Sequence, residues 1–287
     1  MISRRTFFRT TAGLLTAGAG GAAWGFGVEP ILMLGVREWS AAPASWPADA
    51  PPLKIAILSD IHAFEPYMPA ARIARIVERI NGLGADLIVL LGDYVCTSGQ
   101  EFVIRNVPVA EWTAALAPLR APLGVYAVLG NHDWRLDAGA VRTGLELAGV
   151  PVLENRALKI EKNGHAFWLV GLGDQLAHAD DLSGALAQIS SDDPAIALAH
   201  EPDIFPQIPE RVALTLSGHT HGGQVSLPFY GPPFTGSKYG QRYVYGHVVE
   251  GGRHLVVSSG VGVSWCPVRF MAPPEITVVT VAPRPIV

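Results

Sequence analysis

The amino-acid sequence predicts an α/β protein, a four-layer αββα sandwich of two mixed β-sheets flanked by helices. Three observations predict it. Short apolar runs alternate with amphipathic segments between Leu53 and Ala148, the rhythm of parallel strands joined by right-handed helical crossovers. An Asn163-Gly164 hairpin signature between two apolar runs then breaks that rhythm and brings in antiparallel pairing. From Tyr243 to Val281 the chain alternates strand-like segments and holds little that is helical.

Residues 1–27 read as a separate unit. Ser3 to Thr10 (SRRTFFRT) is basic, and Thr11 to Val28 carries no charged side chain, the layout of an export signal. Adjacent Arg4 and Arg5, with Phe7 two places on, resemble a twin-arginine signal, an address that a receptor reads. The stretch behind it is rich in Gly and Ala and is a poor membrane span by hydropathy. Two readings stay open. Cleavage near the small residues from Ala17 to Ala23 would give a periplasmic or cell-envelope protein; an uncleaved N-terminus would be an anchor and a route to membrane association. Residues 28–52, VEPILMLGVREW and then a Pro- and Ala-rich stretch, predict an edge strand followed by a linker. The main domain, 53–287, starts at Leu53.

Within it, LKIAILSD (53–60) is a nearly continuous apolar run ending on a carboxylate, as in a strand covered on both faces. Ile73, Ile76, Val77 and Ile80 recur at helical spacing. DLIVLLGD (86–93) and GVYAVLGNHD (124–133) repeat the strand design, and Trp112–Leu119 and Val141–Ala148 read as helices. LKIEKNGHAFWLVGL (158–172) is the hairpin, and AIALAHEPD (195–203) and VALTLSGHTHGG (212–223) are strands ending on histidines. YVYGHVVE, RHLVVSS and EITVVTV complete the strand set.

The 287 residues are 49% hydrophobic and 16% charged, enough for one sizeable core. A net charge of -4 leaves no basic field for a polyanion, so nucleic acid is not an expected partner; a monomer is expected. The two cysteines, Cys96 and Cys266, fit neither a zinc ribbon nor a CxxC pair. Each reads as a small buried side chain, with a disulfide as the alternative that export keeps open.

Five segments place ligand-type residues just after apolar runs: Asp60-Ile-His62, Gly92-Asp93, Gly130-Asn131-His132-Asp133, His200, and Gly218-His219-Thr220-His221. Crevices at the carboxyl ends of strands are where sites form in α/β sheets, so the segments can converge. Residues at i and i+2 share one side of an extended strand end, which lets Asp60 and His62, or His219 and His221, reach a common point. Neutral imidazole and carboxylate suit zinc, iron or manganese. Any one motif could be structural, and Gly-Asn-His-Asp could be a turn with a helix cap at Asp133. All five in this order point to a metal site.

Together they resemble the calcineurin-like metallophosphoesterase signature, and the likeness runs through nearly the whole chain after residue 27. The strings VEP, LAHEPD, GHTHGGQ and CPVRFMAPPEIT resemble a bacterial subgroup that includes exported phosphodiesterases and UDP-2,3-diacylglucosamine pyrophosphatase-like proteins. The resemblance implies a metallophosphoesterase domain over 53–287 with two divalent metal ions (manganese, zinc or iron). It would place Asp60, His62 and His221 on the first ion, Asn131, His200 and His219 on the second, and Asp93 between them. It implies that His132 protonates the leaving group or steadies charge on phosphate. Asp133 would orient His132 or only cap a helix. Cys96 stands where relatives often carry an acidic residue, and Cys266 falls near the implied substrate mouth.

Two such cations lower the pKa of a shared water towards about 7 and polarise phosphoryl oxygens, so the implied activity is hydrolysis of phosphodiester or phosphomonoester bonds by metal-activated hydroxide. The substrate would be a small-molecule, lipid or envelope phosphoester. A UDP-2,3-diacylglucosamine pyrophosphatase-like lipid A hydrolase is one alternative, and a metal-binding protein without turnover is another. The lipid reading needs an apolar groove, for which Trp134, Phe229, Tyr230, Phe234, Tyr239 and Trp265 are candidates; ordinary core and rim packing is the other reading of those aromatics.

Overall fold

The computed structural model describes residues 18–284. The export-type motif at Ser3 to Thr10 lies outside them. Gly18–Ala23 is helical and continues into a wider π-helical stretch, Trp24–Leu32. Among the described residues no helix is long and apolar enough to cross a membrane.

Two large sheets form the centre. The first holds β1 (Gly35–Ala41), β13 (Glu275–Val281), β2 (Leu53–Leu58), β4 (Leu87–Leu90) and β6 (Val125–Ala127), in that spatial order. The second runs β11 (Gly246–Glu250), β12 (Arg253–Val257), β10 (Val212–Ser217), β9 (Ala195–Leu198), β8 (His165–Gly171) and β7 (Arg156–Lys162). A short ribbon pairs β3 (Phe64–Glu65) with β5 (Arg105–Asn106). Both large sheets are mixed: β2, β4 and β6 are parallel while β13 runs against β2, and β8, β9, β10 and β12 are parallel with antiparallel β7 and β11 at the edges.

Side-chain alternation with a period of two builds the layers. Ile55 and Ile57 of β2 point between the sheets and join Leu169, Ile196, Leu198, Leu214 and Val256 of the second sheet. Ala56 and Leu58, between them in sequence, face outward to α1 (Ala70–Asn81), α2 (Val109–Leu116) and, beyond the short α3 (Asn131–Leu136), α4 (Ala138–Leu147), meeting Ile73, Ile76, Trp112 and Val141. The outer face of the second sheet has a thinner cover, α5 (Leu182–Ala187) and a 3-10 turn at Pro202–Gln207, which supply Ala185, Ile204 and Phe205. The hairpin turn has Asn163 at φ 52° and Gly164 at φ 83°, the two positive angles that a two-residue type I′ connection requires.

Three boundaries differ from the sequence reading. The first edge strand starts at Gly35, not Val28, because the preceding residues are helical. The 42–52 stretch, read as a linker, is packed: Trp46 and Ala50 lie in the core between the sheets, with Trp46 against Phe167 at 6.0 Å. The second and third long helices begin three residues earlier than predicted. Pro108 precedes the first turn of α2, and Asp137 caps α4 by accepting from the Ala140 N–H.

Candidate metal centre

Every ligand-type segment leaves the carboxyl end of a parallel strand. Asp60 and His62 follow β2, Asp93 follows β4, and Asn131 and His132 follow β6; from the second sheet, His200 follows β9, and His219 and His221 follow β10. The structure brings all eight side chains into one largely buried cluster spanning the tops of both sheets. Asp60, His62, Asp93, His219 and His221 all have positive φ, between 44° and 69°, a region non-glycine residues enter at a cost of about 1–3 kcal/mol each. Strained backbone concentrated at one point is the mark of a site held in place by the surrounding fold. Gly92 and Gly130 allow the β4 and β6 loops to touch: a Cβ on Gly92 would strike the Gly130 backbone, and one on Gly130 would strike Asp93.

The donor atoms fall into two groups that share Asp93. In one, His62 Nε2 lies 3.0 Å from His221 Nε2, and His221 Nε2 lies 3.7 Å from Asp60 Oδ1. In the other, His219 Nδ1 lies 3.0 Å from Asn131 Oδ1 and 3.3 Å from His200 Nε2. Asp93 Oδ2 is 3.5 Å from His62 Nε2 and 3.3 Å from His200 Nε2, while Asp93 Oδ1 is occupied by the His132 N–H at 2.8 Å.

Three histidines have their outer nitrogen against a backbone carbonyl: His62 Nδ1 on Val95 O at 3.1 Å, His200 Nδ1 on Leu91 O at 2.7 Å and His219 Nε2 on Gly236 O at 3.1 Å. A carbonyl only accepts, so the outer nitrogen carries the proton and the inner one presents a lone pair, the preparation that metal-ligating imidazoles show. Burial, followed by the neighbouring histidines, holds His62 down at about 3 and His219 at about 4. Imidazole nitrogens and carboxylate oxygens gathered at these distances, most of them with the outer nitrogen already engaged, form the borderline-hard N/O donor set that divalent zinc, iron or manganese takes. The donor set therefore fits divalent metal. Without metal, and against the effect of burial, the Asp93 carboxylate holds His200 protonated well above the usual histidine range, while Asp93 itself sits well below the usual carboxylate range.

His221 is built differently. Its outer Nδ1 faces Arg269 Nη2 at 3.3 Å, and that fully buried guanidinium also donates to the carbonyls of Ser259, Gly262 and Ala272. The turn carrying Arg269 is clasped in its turn by Glu29, whose carboxylate accepts from the N–H groups of Met271 (3.1 Å) and Ala272 (2.7 Å) and from Trp24 Nε1 (2.7 Å). Neither residue stood out as functional in the sequence, although VEP and CPVRFMAPPEIT contain them. The available signal was the glutamate of VEP and the single arginine of CPVRFMAPPEIT.

Of the two roles open to Asp133, the structure shows the capping one and adds a further one: as the third residue of α3 it accepts the N–H of the N-cap residue Gly130, and the rest of its carboxylate is taken up by backbone groups of the β4 loop rather than by His132. Its Oδ2 accepts from the Asp93 N–H (2.8 Å) and Gly130 N–H (2.9 Å), and its Oδ1 from the Tyr94 N–H (2.9 Å) and Val95 N–H (3.2 Å). One carboxylate thus ties the β4 loop to the β6 loop. His132 is oriented instead by Thr97, with the Thr97 N–H and Oγ1 at 3.2 and 2.8 Å from His132 Nδ1. Behind His200, Asp174 and Glu201 form a buried carboxyl pair in which burial, then Asp174, pushes Glu201 up to about 8.

Cys96 and Cys266 are both free thiols; Cys96 is buried and donates to Ser98 O. The aromatic candidates divide between packing and exposure. Trp134 packs on the helical core and Tyr239 against Tyr243, whereas Phe229, Tyr230, Phe234 and Trp265 stand exposed on loops.

Comparison with known proteins adds sequence relatives. The family described as calcineurin-like phosphoesterase matches residues 53–223. The chain is 34% identical to the uncharacterized metallophosphoesterase YkuE of Bacillus subtilis (strain 168), over 97% of both chains. It is 32% identical to the phosphodiesterase YaeI of Escherichia coli (strain K12), over 96% of this chain and 98% of that one. Among solved structures, a 5'-nucleotidase precursor from Thermus thermophilus is 15% identical with a TM-score of 0.47, covering 74% of this chain and 49% of that one.

Proposed function

Since the chain belongs to the calcineurin-like phosphoesterase family, and is thereby a metal-dependent phosphoesterase, we propose that it hydrolyses phosphodiesters at a two-metal centre. Asp60, His62 and His221 would hold one ion, Asn131, His200 and His219 the other, and Asp93 would reach both. The observation that carries this is the position of Asp93 Oδ2, 3.5 Å from the inner nitrogen of one group and 3.3 Å from that of the other. When bound, two such divalent cations supply hydroxide at neutral pH and polarise the phosphoryl oxygens.

The chain's own residues supply placement. Three backbone carbonyls hold imidazole lone pairs inward, Asp133 fixes the Asp93 loop, and the backbone N–H of His132 engages Asp93 Oδ1 so that Oδ2 faces both donor groups. His132 Nε2 lies 4.0 Å from Asp93 Oδ2 and 3.5 Å from Ser264 Oγ, facing the same space as the donor atoms. A phosphoester positioned there meets His132 on the side where the leaving oxygen departs. Likeness to a phosphodiesterase over almost the full chain favours a diester. Export to the periplasm or envelope, suggested by Arg4 and Arg5, suits a monomeric enzyme acting on envelope or phospholipid-headgroup diesters.

The test is hydrolysis of bis(p-nitrophenyl) phosphate with added manganese, with metal counted by elemental analysis. Wild type should hold about two ions per chain and turn over, Asp93→Ala should lose both metal and turnover, and His132→Ala should keep metal but slow by about 100-fold or more. Equal rates in all three proteins would sink the proposal.

A further inference from the structure

The hydrogen bonds around His132 decide between protonating the leaving group and steadying charge. A backbone N–H can only donate. The Thr97 N–H points at His132 Nδ1 from 3.2 Å, with the Thr97 hydroxyl at 2.8 Å beside it. Nδ1 is therefore the acceptor and its lone pair is engaged. The ring proton resides on Nε2, the nitrogen facing Asp93 Oδ2 and Ser264 Oγ. Adding a second proton at Nδ1 would break the bond from the Thr97 amide. The neighbouring Cys96 gives its thiol hydrogen to Ser98 O rather than to the ring.

We propose that Thr97 is a positioning residue that locks His132 as the neutral Nε2–H tautomer, so that His132 donates a hydrogen bond to the departing or phosphoryl oxygen and keeps its proton. An imidazole that gave up its only N–H proton would become an imidazolate, so none is transferred. The hydroxide oxygen bonds to phosphorus as the P–O bond to the leaving group breaks, its electron pair going to the leaving oxygen, and the proton that oxygen finally takes comes from water. This rests on the proposed role of His132 and deepens it into a leaving-group preference. The substrate class is a diester whose leaving group departs as a stabilised anion, such as a phenol or an acidic sugar hydroxyl, ahead of a simple alkyl alcohol.

The experiment has two readouts on full-length protein. Nitrogen-15 NMR of histidine-labelled, zinc-loaded protein should show His132 Nδ1 without a bonded proton and Nε2 with one, in wild type and in Thr97→Ser. Rates on manganese-loaded enzyme with a series of aryl methyl phosphodiesters should fall steeply as the leaving phenol becomes less acidic. Thr97→Val, which keeps the amide but loses the hydroxyl, should lower kcat about 5-fold with KM little changed, the effect of one net hydrogen bond; Thr97→Ser should restore it. A proton on Nδ1 in wild type, or a flat leaving-group dependence, overturns the proposal. Thr97→Val with the kcat of wild type also overturns it, because the Thr97 side chain would then do nothing to position the ring. If His132→Ala matches wild type on every diester while Nδ1 is unprotonated, the lock stands and it is the catalytic reading of His132 that fails.

Discussion

Asp133→Asn removes no metal ligand and changes the side-chain shape by almost nothing, yet it should be among the most damaging single substitutions in the chain. Asp133 is fully buried, and its two oxygens accept four backbone N–H groups, two each. An asparagine can keep one pair with its carbonyl oxygen but turns an NH2 towards the other pair, so donors face donors. A buried N–H deprived of its acceptor costs about 1–3 kcal/mol, which for two gives about 2–6 kcal/mol against a typical total of about 5–15. Whichever way the amide turns, the orphaned pair includes a backbone group of the loop carrying Asp93, so metal affinity should fall with stability. Guanidinium unfolding of the EDTA-treated protein measures the first and calorimetric manganese titration the second. A midpoint within error of wild type, with unchanged manganese affinity, would refute the view that this carboxylate is the tie between the β4 and β6 loops.

Glu29→Gln should destabilise by about 1–3 kcal/mol, since one of the three donors on its carboxylate must lose its partner, and should weaken metal binding through Arg269; a thermal-shift titration with manganese reads both. Metal uptake should expel protons, because the Asp93–His200 contact holds a proton on His200 at neutral pH without metal. Zinc titration at about pH 7.5 in buffers of different ionisation enthalpy should show at least about one proton released per chain, and none would contradict the ion pair. Burial pushes the Cys96 thiol up to about 11, so it should resist DTNB in the native protein and react promptly only on unfolding, with two thiols per chain titrated.

The strands of the two large sheets and all eight clustered side chains were legible because apolar runs that end on His, Asp or Asn combine two strong local signals, burial and chemistry; the two-residue ribbon strands β3 and β5 have no such run. The Asn163-Gly164 turn was legible because few dipeptides accept two positive φ values. The supports were not. Thr97, Asp133, Arg269 and Glu29 act through backbone atoms or rings far away in sequence, as when Glu29 meets Ala272, and such partners leave no periodic trace. Asp133 shows the difficulty: its place beside Gly130, Asn131 and His132 suggested a local role, whereas three of its four donors belong to residues 93–95. The 42–52 stretch misled in the opposite sense, because Pro and Ala suggested a linker while the isolated Trp46 fills the core between the sheets.

The clasp of Glu29 and the edge strand β1 set a limit on how the protein can be shortened. The family match begins at Leu53, and a version starting there would retain every candidate ligand. It would nevertheless lack Trp46 and the whole of β1, and so expose along β13 the row of backbone groups that β1 pairs from Gly35↔Glu275 to Ala41↔Val281. A bare, apolar edge of that kind recruits strands from other molecules, so aggregation of the shortened chain would report a missing strand rather than a defective catalyst. The smallest version on which inactivity can be interpreted starts upstream of Trp24, where the indole and carboxylate that brace the Arg269 turn are both still present.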